Sequence, residues 1–170
     1  MKFIFGFSRP KNHYFPIISW CIQLIEKVRV SHMYSRWVHE GVESFYHAAE
    51  DQVHFLGSKA ARKKLNIIEE YELDITEEQF KQIYRYAHKR AGTKYAKKQL
   101  VGMLLQRVFG LPSNPFADGN KSAVCTEEQG YILTHILGFD LQGDLEVVGI
   151  EFMRRWCRDN LKKRDCTDGY

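Results

Sequence analysis

The stretch Ser31-His32-Met33-Tyr34-Ser35-Arg36-Trp37-Val38-His39-Glu40-Gly41-Val42-Glu43-Ser44-Phe45-Tyr46-His47-Ala48-Ala49 decides how this chain is read. Aromatic and β-branched residues crowd both halves, and a turn signal ending in Gly41 separates them. Two such runs around a short turn make a β-hairpin. With His39 and Glu40 as the turn residues, Val38 faces Gly41 and His32 stands opposite His47. Directly paired residues in an antiparallel ladder project from one face, so this register predicts two neighbouring histidines. A slip of one residue would send them to opposite faces.

Before the hairpin, Phe3-Ile4-Phe5-Gly6-Phe7 reads as a buried strand and Ser8 to His13 as a loop. Pro16 opens an amphipathic helix through Ile17, Trp20, Cys21, Leu24, Ile25 and Val28. Cys21 lies on its apolar stripe and reads as packing. After the hairpin come a short strand at Val53 to Leu56, a basic loop or helical turn at 57–64, and a strand from Asn66 to Ile75. Thr76-Glu77-Glu78-Gln79 is a capping box, with Gln79 reaching back to Thr76. The helix it starts runs through Phe80, Ile83, Tyr84, Ala87 and His88, with Gly92 as its stop. A further helix carries Leu100, Val101, Leu104, Leu105 and Val108 to Gly110. Ser113 to Lys121 is the plainest loop. Helix Thr126 to Leu137, a strand at Leu145 to Ile150 and a helix at Glu151 to Lys163 complete the chain. The pattern fits one domain over residues 1–163 with a frayed tail at 164–170.

The chain has 170 residues, 44% hydrophobic, 27% charged and 14% aromatic, enough to bury a full core and too apolar for disorder. Its net charge of +4 is only mildly basic, and the basic residues at 59–64, 81–98 and 154–164 share helices with acids. Nucleic acid is therefore not an expected partner. Four cysteines without a C-x-x-C pair favour neither a zinc knuckle nor a disulfide scaffold, and suggest a reducing compartment. The apolar runs are too short for a signal core or a bilayer span, so the chain reads as cytoplasmic. No metal or organic cofactor is implied.

Cys125 follows the turn-rich loop and opens an apolar helix. Helix N-termini favour anions, which predicts an ionisable, nucleophilic thiol and free N–H groups to hold an oxyanion. Such a nucleophile needs a base, and His32 can supply it while His47 orients the ring. Glu43 or Ser44 takes the third role if the hairpin register differs. Glu127 and Glu128 suit the helix dipole and read as structural. His39 reads as an exposed turn residue and His88 as a helix-surface residue. His13, His54 and His135 have no nameable partner.

These residues carry a resemblance. Ser31-His32-Met33-Tyr34 with Phe45-Tyr46-His47-Ala48 resembles the histidine hairpin of NlpC-type cysteine peptidases. Cys125-Thr126-Glu127 with Leu137-Gly138 resembles their cysteine helix, and Gly92-Thr93-Lys94-Tyr95 is similar to their G-x-x-Y segment. The cysteine follows the histidines here. That order resembles the circularly permuted branch, which includes bacterial hydrolases of the YiiX and YebB kind and, more distantly, lecithin:retinol acyltransferases. The likeness spans residues 3 to 140. The chain departs from the pattern at Met33, Tyr34 and Ser35, where small residues are usual. It departs again in a longer hairpin, in Thr126 for serine, and in a first strand without aspartate. The resemblance implies an α+β, papain-like fold with an antiparallel sheet against helices. It also implies a Cys125-His32-His47 triad acting through an acyl-enzyme on a peptide, amide or lipid-like acyl substrate. A binding protein that keeps the fold without turnover is the alternative.

Overall fold

The computed structural model describes residues 1–11, 16–49, 51–116, 122–142, 145 and 148–165. The fold is α+β, an open antiparallel sheet packed against several helices. Six strands, β1 (Lys2–Pro10), β2 (His32–His39), β3 (Val42–Ala49), β4 (Gln52–Gly57), β5 (Leu65–Asp74) and β6 (Lys162–Arg164), form it in the order β4-β3-β2-β1-β5-β6. Every neighbouring pair is antiparallel. The helices are α1 (Pro16–Glu26), α2 (Ser58–Lys64), α3 (Glu77–Arg90), α4 (Lys97–Phe109), α5 (Cys125–Tyr131) and α6 (Ile150–Asn160). A π-helical stretch, Ile132–Ile136, continues α5.

The first strand is central because both its faces are apolar or close-packed. Phe3, Phe5 and Phe7 point into the main core with Met33, Trp37, Tyr46 and Tyr71, all buried. Burying one such aromatic contributes about 1.5–3 kcal/mol. The opposite face is thinner. There Tyr34 lies across Gly6, its cross-strand partner, and a Cβ on Gly6 would stand 2.1 Å from the Tyr34 ring. Only glycine admits that approach. Tyr34, Phe45, Ala61 and Leu65 form a second, smaller core beneath α2 on that side.

The hairpin register differs from the sequence expectation. His39 pairs with Val42, so Glu40 and Gly41 are the turn residues. Both have positive φ, 50° and 75°. A turn with two left-handed residues matches the strand twist and favours glycine second, which outweighs a His39-Glu40 turn. The pairing is thus displaced by two residues, and His32 no longer stands directly opposite His47. An even displacement keeps the same face, so the two histidines become diagonal neighbours.

Other expectations are corrected at the ends. The first strand continues through Pro10 instead of yielding to a loop at Ser8, and His13 lies outside the described residues. In place of a strand at Leu145–Ile150, Leu145 lies in a turn and Ile150 opens α6, while residues 146 and 147 are outside the described residues. Arg164, expected to open a frayed tail, lies in a strand, and residues 166–170 are outside the described residues. Lys162, Lys163 and Arg164 pair with Glu72, Tyr71 and Glu70 of β5, where acidic side chains meet the basic strand. The capping box at Thr76 is present in both directions, Gln79 N to Thr76 Oγ1 at 3.1 Å and Thr76 N to Gln79 Oε1 at 2.9 Å.

The segment at 92–96 joins the sheet edge to the cysteine helix. Gly92 N donates to Val53 O, Val53 N to Thr93 O and Tyr95 N to Asp51 O, along the free side of β4. Ala123 N then donates to Lys94 O, and Ala96 N to Ala123 O, both at 2.9 Å. The residue two before Cys125 is therefore pinned to the strand that follows the histidine hairpin.

Candidate active site

Cys125 is the first residue of α5, and the loop expected before it lies partly outside the described residues, at 117–121. Val124 has no polar side chain to cap the helix. Glu127 substitutes by accepting from the Val124 N–H at 3.3 Å. Glu128, fully buried, fixes the helix laterally. Arg90 of α3 donates to its Oε1 from Nε at 2.8 Å, and the Tyr46 hydroxyl of β3 donates to its Oε2. Gln129 Nε2 donates to the Tyr46 carbonyl at 3.4 Å. Both glutamates thus position the helix, as the sequence suggests.

These ties hold α5 against β2 and β3. The ladder between the two strands ends at the Ser35–Tyr46 pair, leaving the start of β2 unpaired on that side. From there the backbone N–H of Met33, next along the chain from His32, favours the Cys125 thiolate. Alternation along β2 turns the Met33 side chain into the main core and His32 to the other face of the sheet. Among the described residues, no hydrogen bond links the Cys125 sulfur to a histidine.

The structure brings the histidines together more fully than the sequence does. His32 Nε2 and His47 Nδ1 are 2.8 Å apart, and both residues are buried. His47 Nε2 is 3.1 Å from His54 Nε2, and His54 Nδ1 is 3.0 Å from the Gln52 carbonyl. His54 is therefore a member of the cluster that sequence reasoning missed. The signal was present. A two-residue connection between Ala49 and Gln52 sets His54 directly opposite His47. The ring nitrogens are used pairwise on one another, and among the described residues no group of histidine, cysteine and acidic side chains converges as metal ligands would.

Burial sets the protonation states. It pushes the His32 imidazolium down to about 3, with His54 adding repulsion to a second charge. His47 is lowered well below the ordinary histidine value, by burial first and then by His32, His54 and Lys64. The Cys125 thiol is pushed up to about 11 by burial, despite backbone N–H groups of Met33, Thr126 and Cys125 that favour the thiolate. This corrects the expectation of a readily ionised thiol. A helix of 7 residues supplies a few N–H groups, while a cysteine only 4% exposed loses nearly all its hydration. Tyr95, beside the sulfur, has its phenol raised well above the ordinary value by burial and by Cys125.

The remaining candidates fall elsewhere. Cys21 is partly exposed and Cys157 is buried in the core. His39 lies exposed over Phe80, with ring centroids 4.9 Å apart. The exposed His88 uses Nδ1 on Tyr84 O at 2.9 Å, and His135 bonds Thr134 and stacks on Tyr131. Many basic side chains of the α2, α3 and α6 regions pair with acids, including Arg62 with Glu43, Arg90 with Glu128 and Arg154 with Glu69. Among the described residues, no helix is long and apolar enough to cross a membrane. No protein-family model matches the chain, and no curated protein sequence matches it.

Proposed function

We propose that the chain is a cysteine hydrolase with a papain-like fold of the circularly permuted NlpC type. Cys125 is the nucleophile, His32 the base and His47 the residue that orients it. The substrate is a peptide, amide or lipid-like acyl group. His32 takes the proton from Cys125 Sγ as sulfur bonds to the carbonyl carbon, and the oxyanion rests on the Cys125 backbone N–H. His32 then gives that proton to the departing amine or alcohol, leaving a thioester. Water attacks the thioester, its proton passes to His32, and the C–S bond then breaks as His32 returns the proton to sulfur, releasing the acid and restoring the neutral thiol and imidazole. A second acyl acceptor can replace water.

The observation that carries this reading is the buried His32–His47 hydrogen bond. Cys125 packs in the main core on the Met33 side of β2, so the transfer requires the unpaired start of β2 to turn His32 toward the sulfur. Because thiol and imidazole both rest neutral, proton transfer accompanies attack instead of preceding it. A reagent with a thiol-reactive acyl group should label Cys125, located by peptide mass spectrometry, and Cys125→Ala should abolish labelling with an unchanged circular dichroism spectrum. Equal labelling of both proteins would sink the proposal.

One observation favours a second reading, a binding protein without turnover. The thiol is buried, protonated and not hydrogen-bonded to a histidine. That reading stands if the wild-type cysteine resists the acyl reagent while the folded chain still binds a peptide or acyl ligand.

A further inference from the structure

The third histidine has a consequence for which nitrogen of His32 acts. A carbonyl oxygen only accepts, so the proton of the 3.0 Å His54–Gln52 bond sits on His54 Nδ1. A neutral His54 then has a lone pair on Nε2, and it accepts from His47 Nε2–H. That leaves the His47 lone pair on Nδ1, which accepts from His32 Nε2–H. The lone pair of His32 is thereby assigned to Nδ1, the nitrogen that neither of the other histidines uses.

We propose that His54 is a positioning residue: fixed by the Gln52 carbonyl, it sets the tautomer of His47 and, through it, keeps His32 Nδ1 unprotonated as the base. It touches neither substrate nor sulfur. A change that made His54 Nε2 a donor would reverse both inner bonds, place the proton on His32 Nδ1 and remove the base. The strand pairing supplies the geometry, since His47 and His54 are direct partners and the anchoring carbonyl belongs to the same strand two residues earlier. The role in catalysis rests on the hydrolase reading, whereas the tautomer assignment does not.

Two measurements separate them. Long-range proton–nitrogen NMR of the full chain, labelled with ¹⁵N-histidine, reads which ring nitrogen bears hydrogen. The expected pattern is Nε2–H for His32 and His47 and Nδ1–H for His54. In His54→Phe the His47 signals should move to an average of tautomers, while His54→Gln, whose amide oxygen can accept from His47, should restore the pattern. An Nδ1–H tautomer at His32, or His47 signals unmoved in His54→Phe, would overturn the assignment. Labelling of Cys125 by the acyl reagent should slow about 10- to 100-fold in His54→Phe and recover in His54→Gln, the range usual for loss of a histidine's orienting partner. Undiminished labelling in a folded His54→Phe would overturn the positioning role. Absence of labelling in the wild type defeats the hydrolase reading and, with it, the catalytic part of the proposal, and the NMR pattern still decides the tautomers.

Discussion

One face of the hairpin carries two buried polar clusters that meet the same problem differently. His32, Tyr34 and Arg36 alternate along β2 on this face, and Glu43, Phe45 and His47 alternate along β3. At the turn end, Arg36 is buried but cannot give up its charge. It donates to Glu70 through Nε at 2.7 Å and Nη2 at 2.6 Å, and to Glu43 through Nη1 at 2.6 Å. The Tyr34 hydroxyl adds a fourth bond, to Glu70 Oε1 at 2.7 Å. At the open end, the histidines can discharge, and burial makes them do so. Two carboxylates compensate the first cluster, and the second needs only a consistent order of N–H donors and lone pairs. A buried fixed charge demands counter-charges, while a buried titratable group can become neutral and remain a base.

The largest effect should come from breaking the arginine end. Glu70→Ala removes two of the acceptors on Arg36 and strands a buried guanidinium, with an expected loss of about 3–5 kcal/mol in urea unfolding. A loss no larger than that of a surface substitution would mean that Glu43 and solvent suffice, and the contrast would fail.

Acid should break the histidine end first. The folded value of His32 lies below its unfolded value, so between about 3 and about 6.5 the unfolded chain binds more protons, and stability falls as pH drops through that window. From pH 7 to pH 5, His32 alone accounts for about 2 kcal/mol. Glu70, held below the ordinary carboxylate value by Arg36 and Tyr34 against its burial, shifts the slope the same way, but mainly below pH 5, where its unfolded carboxylate takes up protons. Urea midpoints at pH 7, 6 and 5 should therefore fall steadily, and His32→Gln should flatten the decline. Stability that is level or rising toward pH 5 in the wild type would contradict the neutral cluster.

The smallest effect is expected outside the sheet. Lys81 and Glu77 form an exposed ion pair at 2.9 Å on α3, one turn apart. Water already solvates both charges, so Lys81→Ala should leave the thermal midpoint within measurement scatter. A clear drop would show that burial is not what separates strong from weak pairs in this protein.

Much of the architecture was legible because local chemistry and tertiary structure agree. The alternating runs around Gly41 give the hairpin, Thr76 and Gln79 give the start of α3, and the left-handed Gly110 ends α4. The turn register was not read correctly, because His39-Glu40-Gly41 offers two choices by composition and only the φ values of Glu40 and Gly41 distinguish them. The strand Lys162–Arg164 was unreadable for another reason. Its residues are basic and polar, and they become a strand only beside Glu70 and Glu72 of β5.

At the candidate site the division is sharper. The sequence by itself determined that Cys125 opens a helix and that His32 and His47 stand on the two strands of one hairpin, since period is a local property of a chain; that they share a face depends on the turn register. Only tertiary structure decided that His54 completes the row, and that the Cys125 thiol and the His32 and His47 imidazoles rest uncharged. Charge state depends on how much water is removed from a group and on what faces it across strands. Both are set by residues distant in sequence, so no spacing along the chain encodes them.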